Sequence, residues 1–235
     1  MEIIELGGVK FVLDTRPGKL RGKSKSNEFV LVKTQSYLSF YESLRSFKPK
    51  YILEIGMFEG GSLVYFDKLY APKTLVGVDI RRTPIPALER YKQKRPYIKT
   101  FYGRSQDQPS TRGAAQSNFP KGIDLVVDDA SHDYEKTKAT FLNIFPLVKA
   151  GGHYVIEDWG WAHRPNHQKQ GSTWSDKAAM TNLIFELTVM TAVSRVFASV
   201  TVTEHVVCIR KGKGVLPQSK LDLSGHIRGK EMGLI

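Results

Sequence analysis

From Lys50 onward, short apolar runs alternate with amphipathic stretches. YILEIG (51–56), TLVGVDI (74–80), YIKTFYG (97–103), IDLVVDD (123–129) and HYVIED (153–158) read as strands, each closed by glycine or acid. Residues 60–70 and about 86–94 have helical spacing. Tyr134, Thr137, Phe141, Phe145 and Val148 recur at i+3 and i+4, predicting a helix that stops at Ala150-Gly151-Gly152. Residues 104–122 are a polar connection. Residues 175–191 read as a helix, and 193–211 as two strands. Arg195, Ser199 and Thr203 interrupt that last apolar pattern, which suits an antiparallel hairpin at a sheet edge. Strands alternating with helices of this length predict βαβ units and a mostly parallel sheet, whose central strands are apolar because both faces are covered. The class is α/β, doubly wound.

The flanks differ. Residues 1–15 alternate loosely around Gly7-Gly8, which suits a small hairpin or arm. RPGKLRGKSKSN is a basic loop, and the second half of 29–48 is an amphipathic helix. Residues 212–235 are rich in Gly and Lys with weak periodicity, predicting an extended tail that packs on a neighbour or is mobile. At 235 residues, with 41% hydrophobic and 25% charged, the composition is that of a globular domain. No apolar run reaches the length of a membrane span and the N-terminus lacks a signal-peptide pattern, so the expected compartment is the cytoplasm. Cys208, the only cysteine, fits a reducing environment. The net charge is +12, but residues 1–50 carry ten Lys/Arg against five acids and residues 210–235 six against two. Basic termini read first as solvated ends and second as attraction to an anionic partner.

In an open parallel sheet the ligand site lies beyond the carboxyl ends of the strands. Those ends carry Glu54, Gly56 and the turn MFEGGS; then Asp79; Gly103 to Ser105; Asp128 and Asp129; and Glu157 and Asp158. Gly56 turns the chain off its strand. Gly60 and Gly61, with Ser62 behind them, would let a ligand approach a helix N-terminus. The pattern E-x-G-x-x-x-G-G is not the dinucleotide G-x-G-x-x-G, and its acid suits a cationic ligand better than a phosphate. Asp79 could accept both hydroxyls of a ribose. Alternatively, Glu54 is a satisfied structural acid and the glycines are a tight turn.

Asp129 and the pair Glu157-Asp158 end two different apolar strands. If the strands are neighbours, three carboxylates converge, which is costly without a cation. Hard oxygen donors in this number suit Mg²⁺. The bland alternative is that Ser131 or Asp133 caps the next helix and the acids are solvated. His132 could serve as a general base near neutral pH. His153 and His205 lie in apolar strand patterns, His226 is in the tail, and His163 and His167 sit in the long loop after 158.

Taken together, LEIGMFEGGS, VGVDI, DLVVDDASH and GGHYVIEDW resemble the class I S-adenosylmethionine-dependent methyltransferases. Within them they resemble the metal-dependent sugar O-methyltransferases of the macrocin, mycinamicin and rhamnosyl type, with the related cephalosporin hydroxylase group. The resemblance covers roughly residues 50–160. Ala130 stands where relatives often have Gly. It implies a Rossmann-like, seven-stranded, mostly parallel sheet with an antiparallel edge hairpin. The implied domain plan is an N-terminal arm and helix (1–49), the methyltransferase domain (50–211) and a basic C-terminal tail (212–235). The resemblance implies that Glu54, Gly56, Gly60, Ser62, Asp79 (on the ribose) and Ser105 (near the adenine) hold S-adenosylmethionine, that Asp128 sits either beside the cofactor's methionine end or behind the metal ligands, that Asp129, Glu157 and Asp158 ligate Mg²⁺, and that His132 is the catalytic base. The partner would be a small-molecule hydroxyl acceptor, a sugar or other natural product, with no membrane or nucleic acid. A homo-oligomer is left open. The loop 159–173 would be a lid or substrate wall, with Trp159 and Trp161 able to stack on a ring.

Competing expectations are weaker. A nicotinamide-dependent oxidoreductase lacks its glycine motif. A nucleic-acid methyltransferase fits the basic ends but not three carboxylates, whereas a catechol-type diol methyltransferase fits the same site. A non-catalytic module would be expected to have lost one of Asp129, His132, Glu157 or Asp158.

Overall fold

The computed structural model describes residues 1–216 and 221–227, and the chain resolves into two compact units divided between Ser105 and Gln106. A seven-stranded, mostly parallel sheet is flanked by helices. No helix among the described residues is long and apolar enough to cross a membrane.

In the first unit, β1 (Glu2–Leu6) and β2 (Val9–Leu13) form the expected hairpin around Gly7-Gly8. A strand not foreseen in the sequence follows. The apolar residues at 29–31 belong to β3 (Glu28–Leu31), parallel to β2, and only then does α1 (Gln35–Ser43) begin. Helical spacing and a short buried strand look alike over four residues, and β-branched and aromatic content with burial decided for the strand. The strands β4 (Tyr51–Ile55), β5 (Thr74–Asp79) and β6 (Ile98–Tyr102) run parallel in the order β6-β5-β4, joined through α2 (Gly61–Tyr70) and α3 (Pro86–Lys92). Aromatic edges fill the space between layers: Phe11 on Tyr65, and Tyr41 on Phe66, which stacks on Tyr70.

The second unit starts with α4 (Pro109–Asn118), a helix inside the stretch read as polar connection. Its buried face is only Thr111, Ala114 and Ala115, too small an apolar stripe to register as a pattern. After β7 (Ile123–Asp128) comes α5 (Tyr134–Ile144), which ends earlier than expected because Pro146 cannot continue it. The glycine pair therefore does not cap this helix. It lies inside β8 (Val148–Glu157), where two residues of β7 advance while five of β8 do, between the pairs Ile123–Val148 and Leu125–His153. A Cβ on Gly152 would stand 2.8 Å from Val148 Cγ1 and 2.9 Å from the Asp124 carbonyl, so the bulge requires glycine there. The helix expected at 175–191 is α6 (Thr181–Val193). Then β9 (Phe197–Val202) and β10 (Val206–Lys211) form the antiparallel hairpin, with β10 against β8, completing the local order β7-β8-β10-β9. Phe141, Phe145, Tyr154 and Phe197 pack together beneath it.

Of the expected tail, residues 217–220 and 228–235 lie outside the described residues. Leu221, Leu223 and Ile227 are buried.

Candidate functional site

Two groups of residues stand at strand ends, one in each unit. In the first, β4 delivers Glu54, fully buried, and Gly56 at φ 91°. Gly60 is the N-cap of α2 at φ 78°. The chain itself also comes close at these glycines: a Cβ on Gly61 would fall 1.9 Å from the Val30 carbonyl oxygen, and one on Gly60 3.0 Å from Leu88. Ser62 is buried in the first turn of α2. Asp79 ends β5 and braces the turn, one oxygen accepting from the amides of Met57 (2.8 Å) and Phe58 (3.2 Å), the other from Arg81 (2.8 Å). A carboxylate has about four acceptor positions, so Asp79 retains capacity for one more donor. Arg81 in turn donates to the Phe58 carbonyl (2.7 Å). Ser105 is half-buried at the end of this unit.

In the second unit the end of β7 splits its two acids. Asp128 points inward and accepts from the Tyr154 hydroxyl at 2.9 Å, and burial pushes its carboxyl up to about 7 against that bond. Asp129 turns outward. The next helix is capped by Asp133, whose carboxylate accepts from the Lys136 amide (3.2 Å), while the Ser131 hydroxyl accepts from the Asp133 amide (3.3 Å) and its own amide donates to Gln106 Oε1 (3.0 Å).

Between Asp129 and that cap sits His132, at φ 54°. Its Nδ1 lies 3.3 Å from the Glu157 carbonyl oxygen, a contact in which the nitrogen must be the donor because a carbonyl can only accept. The other ring nitrogen, Nε2, lies 3.9 Å from Asp129 Oδ1 and 3.9 Å from Asp158 Oδ2. One ligand atom from each of Asp129, His132 and Asp158 lies within 4.8 Å of the others. Glu157, expected as the third carboxylate, is buried and not in this group; its main chain orients His132 instead. Asp158 has φ 55°, and its amide donates to the His205 carbonyl at 2.8 Å.

The long loop supplies the surroundings. Trp161 packs on the His132 ring at 4.4 Å, and Trp174 donates to the His132 carbonyl (3.3 Å) while stacking on His167. Trp174 was not foreseen; nothing in its local sequence marks it. His205, read as part of a strand, lies in the turn between β9 and β10 and lines a cavity with Asp158.

This arrangement is that of the Rossmann-like methyltransferases. The structure superposes on the MycE methyltransferase of the mycinamycin pathway, determined with Mg and S-adenosylhomocysteine, with a TM-score of 0.58 and 25% identity over 79% of this chain and 52% of that one. An O-methyltransferase from Bacillus cereus in complex with S-adenosylhomocysteine shares the fold at a TM-score of 0.53 and 14% identity, over 76% of this chain and 82% of that one. The chain belongs to the rhamnosyl O-methyltransferase/CmcI family, whose model matches residues 27–188. Among curated relatives, it is 30% identical over 159 residues to the 8-demethyl-8-(2-methoxy-alpha-L-rhamnosyl)-tetracenomycin-C 3'-O-methyltransferase of Streptomyces olivaceus, covering 64% of this chain and 38% of that protein. It is also 30% identical over 122 residues to the mycinamicin VI 2''-O-methyltransferase of Micromonospora griseorubida, covering 48% of this chain and 28% of that one. The chain thus spans well under half the length of these relatives.

Proposed function

We propose that the protein is an S-adenosylmethionine- and Mg²⁺-dependent O-methyltransferase acting on a hydroxyl of a sugar or related natural product. The observation that carries this reading is the setting of His132: one ring nitrogen committed to the Glu157 carbonyl, the other turned to two carboxylates from different strand ends. Asp129 and Asp158 supply hard oxygen donors that fit Mg²⁺, with Glu157 outside the group. When bound, Mg²⁺ supplies Lewis-acid polarisation of the acceptor hydroxyl and S-adenosylmethionine the methyl group.

The chain's own residues do the rest. The Glu157 carbonyl fixes the tautomer of His132, so Nε2 is the proton acceptor. Once Nε2 is protonated, the carboxylates of Asp129 and Asp158 stabilise the imidazolium, and Trp161 keeps water from one face of the ring. For the cofactor, Glu54, Gly56, Gly60, Ser62, Asp79, Ser105 and Asp128 are the residues we assign, Asp79 through the acceptor capacity left by its three amide donors.

The test is methyl transfer from labelled S-adenosylmethionine to glycosides bearing vicinal hydroxyls, with and without Mg²⁺. Turnover should require the metal, and His132→Ala should lower kcat by about 10²–10⁴-fold while calorimetry shows cofactor and metal still bound. A wild type that binds no S-adenosylmethionine would sink the reading; undiminished turnover in the variant would remove His132 as base.

A further inference from the structure

Beside Asp158 the second unit opens a cavity of about 500 Å³, within the range of small-molecule sites. Asp158 is part of its wall, so a ligand filling it reaches one of the carboxylates that would hold the metal. Trp159 and Trp161 give the cavity aromatic surface, and the Trp159 ring is fixed by its N–H donating to the Thr203 carbonyl at 2.9 Å.

The polar groups of the wall differ in how far the fold already uses them. Glu204 lies 3.5 Å from His205 Nε2, and His163 Nε2 lies 3.2 Å from the Thr181 hydroxyl. Arg164 is the exception. It is exposed at the cavity mouth, its guanidinium over the Trp161 ring, 5.7 Å from the centroid, and no carboxylate among the described residues pairs with it. Arginine stays charged at any working pH, and its planar fork matches a carboxylate or phosphate. Of the two acids in the wall, Asp158 belongs to the proposed metal group, and Glu204 turns most of its side chain to solvent, 3.5 Å from His205 Nε2.

The geometry points to an acceptor bearing an anionic group, a glycosyl ring with a carboxylate or phosphate substituent held by Arg164 while a hydroxyl faces Asp158. This rests on the proposed methyl transfer for the identity of the site, and it makes Arg164 the specificity-determining residue.

Calorimetry on the full chain loaded with S-adenosylhomocysteine and Mg²⁺ tests it, titrating p-nitrophenyl glucuronide, p-nitrophenyl glucoside and glucose 1-phosphate. At least one anionic ligand should bind about tenfold or more tighter than the glucoside, and which one does so separates carboxylate from phosphate. Arg164→Met should abolish the preference with Mg²⁺ affinity unchanged, and Arg164→Lys, keeping the charge, should retain part of it. Equal affinities, no binding of any of the three, or a preference that survives Arg164→Met overturns the inference. Because the readout is binding, an intact anion preference without any methyl transfer would remove the proposed reaction and leave the cavity's specificity standing.

Discussion

His132 and Asp158 both hold left-handed φ angles, 54° and 55°, a conformation that costs a non-glycine residue on the order of 1–3 kcal/mol. Two such residues in one group of ligand atoms are the local cost of aiming Nε2 and a carboxylate at the same point. Asp128, one position before Asp129, shows the opposite treatment. It is turned into the core, where burial raises its carboxyl to about 7, with the Tyr154 hydroxyl working against the shift and Glu157 adding to it. Its folded value lies above its unfolded one, so the folded chain keeps a proton that the unfolded chain releases. The associated stability is complete below about pH 3.8 and is lost as pH rises through about 7. In metal-free protein, Asp128→Asn should therefore flatten the loss of stability between pH 5 and 8 by on the order of 2–3 kcal/mol, read from urea unfolding midpoints. Parallel pH profiles for wild type and variant would show that the carboxyl titrates normally.

At the scale of elements, the packing of α2 against β3 depends on a glycine. A methyl group at Gly61 would meet the Val30 carbonyl oxygen at 1.9 Å, and a main-chain atom cannot swing aside as a side chain can, so Gly61→Ala should destabilise the first unit by about 1–3 kcal/mol or more, measurable by denaturant unfolding. A similar dependence ties β10 to the start of β8. Buried Lys211 donates to the carbonyls of Phe145 (3.2 Å), Pro146 (2.9 Å) and Val148 (2.6 Å), where the chain leaves α5. Lys211→Met fills the same space without a donor and should cost on the order of 1–3 kcal/mol, with a thermal midpoint below wild type; an unchanged midpoint would mean water takes over the three carbonyls. These two contacts also mark what the sequence conceals. The strands at 51–56, 74–80, 97–103, 123–129 and 153–158 were legible because parallel strands covered on both faces are nearly unbroken apolar runs. Gly61 was visible as a glycine, but its use against β3 was not, since β3 itself passes for helical spacing. The acids at the strand ends were legible for the same topological reason. Glu157's separation from the Asp129–His132–Asp158 group, and the arrival of Trp174, Thr181, Glu204 and His205, depend on how loops and the β9–β10 turn return to that end, which has no local signature.

For the molecule as a whole, the net charge of +12 sits mainly in the first fifty residues and the last twenty-six, while Asp129 and Asp158 bring two carboxylates to one group in the second unit. Bringing those carboxylates together in the folded state is unfavourable, and the unfolded chain relieves it by separating them, so a cation that binds only the folded group should stabilise the chain by mass action. At a hundred times its dissociation constant, Mg²⁺ should add about 2.7 kcal/mol to the unfolding free energy. Asp129→Asn and Asp158→Asn should each remove most of that increment, while raising the Mg²⁺-free stability or leaving it unchanged because a like charge has gone. NaCl at equal ionic strength separates site binding from screening, since screening would act on the basic ends of every variant alike. An Mg²⁺ increment of the same size in both variants would locate the stabilising ion elsewhere and would withdraw Asp129 and Asp158 as its ligands.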